Sequence, residues 1–350
     1  MTSRERMKRA IHFQGPDRMP VTFKDLFPLF IIPPMSWQPR EPYYPYIHPW
    51  MIKLRVWRSK RKLPKGWLNT TRICIDEWGT TWRMSPIANQ GETIKGALED
   101  GWHLLDNYKP PDFKDWSRYR LCAKLGKIFG RSRYRLGVND NSLWERYRFL
   151  RGFENCMTDL IEFPDQVRRL LDMLTAWHID VVDNFKKAGA DGFMVVDDWG
   201  PQERTFISPK LFDEFFAPCY KKIADHCHQL GMDIGIHSCG NIRLIVPNII
   251  AAGFDFLELD APNMCGIDWL AENAAGKIAL ACSPDIQEVY IKNDPVLLEA
   301  HIREQISKLA RPSGGYIAWP YIEREVIGVT RQTQKLMLKL YEKYGKYPIK

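Results

Sequence analysis

Apolar runs alternate with helical stripes through the C-terminal two-thirds of the chain, the pattern of successive parallel βα units. Strands are expected at 193–197, 233–237, 254–259, 277–282 and 315–319, each short and mostly apolar, as strands buried on both faces are. Between them the periodicity changes. In 165–187, Val167, Leu170, Leu171, Leu174, Val181, Val182 and Phe185 recur at helical spacing, and Gly189 closes the segment. Ser208-Pro209 reads as a cap with proline at the first helical position, and Pro218 breaks or kinks the helix that follows. Three further strands are expected upstream, at 18–23, 73–83 and 133–138, which brings the count to eight. The fold expected is therefore an α/β protein, a TIM (β/α)8 barrel, forming a single domain over 1–350. The stretches at about 28–70 and 100–132 do not fit the repeat and read as N-terminal insertions decorating it.

Composition is ordinary for a globular protein: 350 residues, 45% of them hydrophobic and 26% charged. No run of about eighteen apolar residues occurs, and no apolar stretch follows the charged start, so neither a membrane span nor a secretory signal is expected. The eight cysteines lack the spacing of a disulfide framework, and reduced thiols in a cytoplasmic protein account for them. The net charge of +8 gathers in two clusters, Lys53–Lys65 and Arg118–Arg135. These are solvated faces or a docking surface for an acidic protein or anionic ligand. No zinc-finger, helix-turn-helix or RNA-recognition signature accompanies them, so nucleic acid is not an expected partner.

Functional groups of a parallel barrel collect where its strands end. Those ends read Asp197-Asp198-Trp199-Gly200, His237-Ser238-Cys239-Gly240, Glu258-Leu259-Asp260, Cys282-Ser283-Pro284-Asp285 and Trp319-Pro320-Tyr321. Imidazole and thiolate are preferred zinc ligands, and three protein ligands with one open position make a reactive zinc. His237, Cys239 and Cys282 are the expected ligands. Glu258 and Asp260 share one face of their strand, as a fourth ligand, a general base or ordinary strand-end carboxylates. Of the two adjacent aspartates, Asp198 is expected to enter the pocket, for acid/base or anchoring work, because neighbouring strand residues face opposite ways. Trp82, Trp199, Trp319 and Tyr321 are candidates for an aromatic pocket or for plain packing. The trio His226-Cys227-His228 is set aside, since helical residues two apart point about 200° from each other.

The chain resembles the uroporphyrinogen decarboxylase superfamily, and within it the zinc- and cobalamin-dependent methyltransferases. The likeness rests on Thr2-Ser-Arg-Glu-Arg, Pro16-Asp-Arg-Met-Pro-Val, Asp76-Glu-Trp-Gly, Phe149-Leu-Arg-Gly-Phe-Glu-Asn, Asp197-Asp-Trp-Gly, His237-Ser-Cys-Gly and Asp285-Ile-Gln. It implies a TIM barrel. Uroporphyrinogen decarboxylases carry an Arg-Gln-Ala-Gly-Arg-Tyr motif after the first strand to hold tetrapyrrole carboxylates. Here that place reads Lys24-Asp-Leu-Phe-Pro-Leu-Phe, with no arginine. Relatives that methylate coenzyme M place their distant cysteine after the last strand, where this chain has Trp319. Cys282 would have to substitute, which argues against coenzyme M.

The resemblance thus implies a zinc-dependent methyltransferase that demethylates a small methoxylated aromatic or similar donor and passes the methyl to a corrinoid protein carrying cobalamin. In that reading Asp198 or Glu258 orients the substrate or handles its proton. Trp199, Asp260, Trp319 and Tyr321 touch substrate, and a homodimer is expected by analogy. The alternatives are a decarboxylase or other lyase acting on a smaller acid, and a non-catalytic ligand- or corrinoid-binding barrel.

Overall fold

The computed structural model describes residues 1–31, 71–84, 91–139, 142–321 and 324–347. The basic cluster at 53–65 and most of the expected insertion at 28–70 lie outside the described residues. The chain divides into two compact units, one of residues 1–31, 119–144 and 171–350, the other of 32–118 and 145–170.

The first unit is a TIM-like α/β barrel built on seven parallel strands. These are β1 (Leu26–Leu29), then, after three strands of the other unit, β5 (Tyr134–Asn139), β6 (Gly192–Val196), β7 (Asp233–His237), β8 (Phe256–Leu259), β9 (Ala279–Cys282) and β10 (Tyr316–Ala318). They run side by side in the order β1-β5-β6-β7-β8-β9-β10. The Ala318 N–H donates to the Pro20 carbonyl at 3.0 Å, and Val21 bridges Ala318 in parallel sense. The segment before β1 thereby reaches back to β10 and closes the curl.

Alternation sorts the side chains into two sets. Tyr134, Leu136, Met194, Phe256, Ala279, Ala281 and Ile317 pack together inside, with Val138, Val196 and Trp319 at the margin. Gly235 belongs to this inner set because a Cβ there would lie 2.1 Å from the Phe256 ring. Met7, Ala10 and Ile11, from the helix Ser3–Ile11, seal the same core. Thr2 caps that helix through Glu5 N–H. His12, just beyond it, meets Asp233 at 2.7 Å, and Tyr134 donates to the same carboxylate at 2.6 Å.

Two expected strands take another form. The stretch 18–23 supplies only isolated bridges at Arg18 and Val21 before a four-residue turn of helix, Thr22–Asp25, and the regular strand begins at Leu26. The buried Asp25 carboxylate enforces that turn, accepting from Val21 N–H and from Arg6 and Arg18. The stretch 73–83 is no barrel strand. It is a hairpin of the second unit, β2 (Arg72–Ile75) and β3 (Thr81–Met84), extended by β4 (Glu92–Lys95) into an antiparallel sheet.

Asp76 organises that second unit. Its carboxylate accepts from the N–H groups of Trp78 and Thr80 and from Trp82 Nε1 at 3.0 Å, with Arg146 at 3.3 Å. Trp82 is fully buried against Phe149. The Asp76-Glu-Trp-Gly motif is a turn-former. Arg118, counted above in a basic cluster, is buried, paired with Glu77 and laid over Phe113. Among the described residues no helix is long and apolar enough to cross a membrane.

Candidate metal centre

Three strand ends build the site. Register places Val196 beside His237 and His237 beside Glu258, so His237 and Glu258 point to the same, inner side. The His237 Nδ1 is in hydrogen-bond contact with Glu258 Oε2. The opposite ring nitrogen, Nε2, lies 3.3 Å from Asp198 Oδ1 and 3.5 Å from Cys239 Sγ. The Cys239 N–H donates to Asp198 at 2.9 Å, tying the two loops together.

The backbone makes this approach possible. Gly240 has φ +84°, and a Cβ there would lie 1.8 Å from the Gly200 carbonyl oxygen. A Cβ on Gly200 would meet the Asn241 carbonyl at 2.9 Å. Only a glycine pair lets the loops after β6 and β7 cross so closely. Asp197, the other aspartate, is fully buried and structural. It accepts from Leu143 N–H at 2.9 Å and Tyr220 OH at 2.5 Å, which fixes the strand end and turns Asp198 toward His237. Ser238 Oγ accepts from Trp199 N–H at 3.0 Å and adds a second tie.

Electrostatics follow from burial and crowding. Burial disfavours charge on His237, but Glu258, Cys239 and Asp198 outweigh it and hold the imidazole well above its usual range. Asp198 sinks to about 2 despite burial, because His237 and the Cys239 N–H stabilise its anion. Burial pushes the Cys239 thiol up to about 12, against the pull of His237. Asp260 rises well above the carboxylate range through burial and then through neighbouring Glu258. One face stays open: the Asp198 side chain keeps 38% exposure, against 12% for His237 and 3% for Glu258.

Among the described residues, two sets of potential ligand atoms lie mutually within 4.8 Å: Asp198, His237 and Cys239, and His237, Glu258 and Asp260. The first set fits zinc. With ordinary zinc bond lengths, a tetrahedron has N···O edges of about 3.3 Å and N···S edges of about 3.6 Å. The observed separations from Nε2 are 3.3 and 3.5 Å. Glu258 on Nδ1 is then the outer carboxylate that metal-bound histidines commonly have.

Cys282 joins neither set. Its neighbour Ala281 stands beside Glu258 in the ladder, while Cys282 itself stands beside Leu259. It therefore faces away from the interior, fully buried, with its thiol raised well above normal by that burial. Asp198, not Cys282, lies beside His237 and Cys239. Trp199 is also fully buried, stacked on Trp144 at 4.9 Å and edge-on to Phe212 and Phe216, so it packs rather than lines a pocket. Trp319 sits at the inner margin, stacked on Phe256. Tyr321 is half-buried, its N–H donating to Ser283 Oγ at 3.3 Å. His226 and His228 pair separately, with Asp183 and Asp255. Tyr220 carries no motif, and Ser238, although it lies within His237-Ser-Cys-Gly, is shown to tie the loops only by its contact with Trp199.

Residues 148–319 match the model of the uroporphyrinogen decarboxylase (URO-D) family. Over that stretch, just under half of its length, the chain is similar to the uroporphyrinogen decarboxylase family. Its fold is similar to that of a methyltransferase from Methanosarcina mazei, 15% identical, with a TM-score of 0.67 over 98% of this chain and 99% of that one. A D-psicose 3-epimerase from Clostridium cellulolyticum H10 is 12% identical over 69% of this chain and 84% of that chain, with a TM-score of 0.40. No curated protein matches the chain.

Proposed function

We propose that the chain is a zinc-dependent methyltransferase, taking a methyl group from a small methoxylated aromatic or similar donor and passing it to a corrinoid protein. One observation carries the reading: His237 Nε2 stands 3.3 Å from Asp198 Oδ1 and 3.5 Å from Cys239 Sγ, the N···O and N···S edge lengths of a zinc tetrahedron. The resemblance of the strand-end motifs, and a fold shared with a protein named a methyltransferase, support it.

Asp198, His237 and Cys239 would hold the metal, whose chemistry is that of a Lewis acid at an ether oxygen. Glu258 holds the His237 ring in one orientation, with its proton on Nδ1. Asp260, kept protonated by burial and by Glu258, offers a hydrogen bond to the leaving oxygen of the substrate. Trp319, stacked on Phe256 at the inner margin, offers an aromatic surface for a donor ring.

Metal analysis tests the ligand set. About one zinc per chain is expected in the wild type and in Cys282→Ala, and none in Asp198→Ala or Cys239→Ala. Added cob(I)alamin with a panel of methoxylated donors should convert to methylcobalamin in its absorption spectrum. Conversion with no donor in the panel sinks methyl transfer, even with zinc bound.

A further inference from the structure

A second recessed surface lies on the same end of the barrel as His237, where the helices Pro295–Leu309 and Arg331–Tyr344 begin after β9 and β10. It is a groove of about 760 Å³, lined among others by Asn293, Arg331, Lys335, Leu336 and Lys339. Arg331, Lys335 and Lys339 follow one another at intervals of four, so they form one exposed stripe about 12 Å long. Like charges at this spacing repel one another.

The carboxylates of these two helices are engaged elsewhere. Glu342 pairs with Lys24, Glu299 with Lys343 and Glu304 with Lys308. In the adjoining loops Asp294 caps the helix Pro295–Leu309, and Glu325 pairs with Arg324. Among the described residues no ion pair reaches the three cations of the stripe. Apolar side chains stand beside the lining residues in the chain: Val296 is 78% exposed and Ile291 43%.

We infer that this groove docks an acidic amphipathic helix of a partner protein. A helix with carboxylates at intervals of four repeats its charge every 6 Å or so, the spacing of the cation stripe. Its apolar flank covers Val296, Ile291 and Leu336, a role that phosphate or a nucleic-acid backbone does not fill. The partner thereby comes to rest on the end of the barrel that carries the candidate metal centre. The inference stands on the groove alone and does not depend on methyl transfer.

The test uses the full chain and a fluorescein-labelled synthetic helical peptide with glutamates at four-residue intervals and leucines on the adjoining face. Saturable binding is expected, weakened roughly tenfold or more by the triple variant Arg331→Glu, Lys335→Glu, Lys339→Glu and by raised salt. Val296→Asp should weaken it as well, while Lys277→Glu, an exposed cation outside the groove lining, should not. The triple variant's circular dichroism should match the wild type, since all three side chains are exposed. Absent binding, binding indifferent to the triple variant, or stronger competition by inorganic phosphate or a single-stranded oligonucleotide than by unlabelled peptide overturns the inference.

Discussion

Glu258 grips His237 from behind: the carboxylate Oε2 meets ring Nδ1, leaving Nε2 turned to Asp198 and Cys239. A carboxylate so placed fixes both the tautomer and the aim of a ligand. Glu258→Gln keeps the shape and loses the charge. Zinc affinity, read by competition with a chromogenic chelator, should fall about tenfold to a hundredfold. An unchanged affinity removes Glu258 from the centre.

The glycine crossing gives a second expectation. Gly240→Ala places a methyl 1.8 Å from a backbone oxygen at a left-handed φ of +84°. The φ alone costs about 1–2 kcal/mol, and separating the loops adds to it. Gly231→Ala, at φ +64° with nothing within 4 Å, should show only the first part. Urea midpoints of the two variants give the comparison, and zinc content should drop in the first alone.

Trp199 distinguishes packing from recognition. It is buried among Trp144, Phe212 and Phe216, so Trp199→Ala should cost about 3–5 kcal/mol of stability. Trp199→Phe, retaining most of the volume, should leave relative turnover of different donors unchanged. A reordered donor preference in Trp199→Phe makes it a substrate contact after all.

His12 ties stability to pH. Its hydrogen bond to Asp233 raises the imidazole above the ordinary 6.5, against the effect of burial. A raised folded-state value means the pair contributes fully below about 6.5 and fades as pH climbs through that higher value. The stability gap between wild type and His12→Gln should therefore be widest in mild acid and close in alkali. A gap that widens with pH contradicts the assignment.

Much of this was legible in the residues. Strand ends after β6, β7 and β8 could be read because apolar runs stop there in polar clusters, and His237, Cys239, Asp198, Glu258 and Asp260 do converge. Cys282 could not be placed. Its side depends on register with β8, and a one-residue offset moves a side chain to the opposite face. The stretch 73–83 reads as a strand by composition, yet composition does not say which sheet receives it. Asp76 and its bonds to Trp78, Thr80 and Trp82 decide that, by folding the chain back into a hairpin.

Among the described residues every other seam in the ring is stitched at three or more positions, whereas the segment leading into the first stave meets the last at the single pair Val21 and Ala318. Such a bracelet has a weak clasp. Thermal breathing should vent there first, so the Ala318 amide should trade its hydrogen for deuterium well ahead of Ile236 in the middle of the wall.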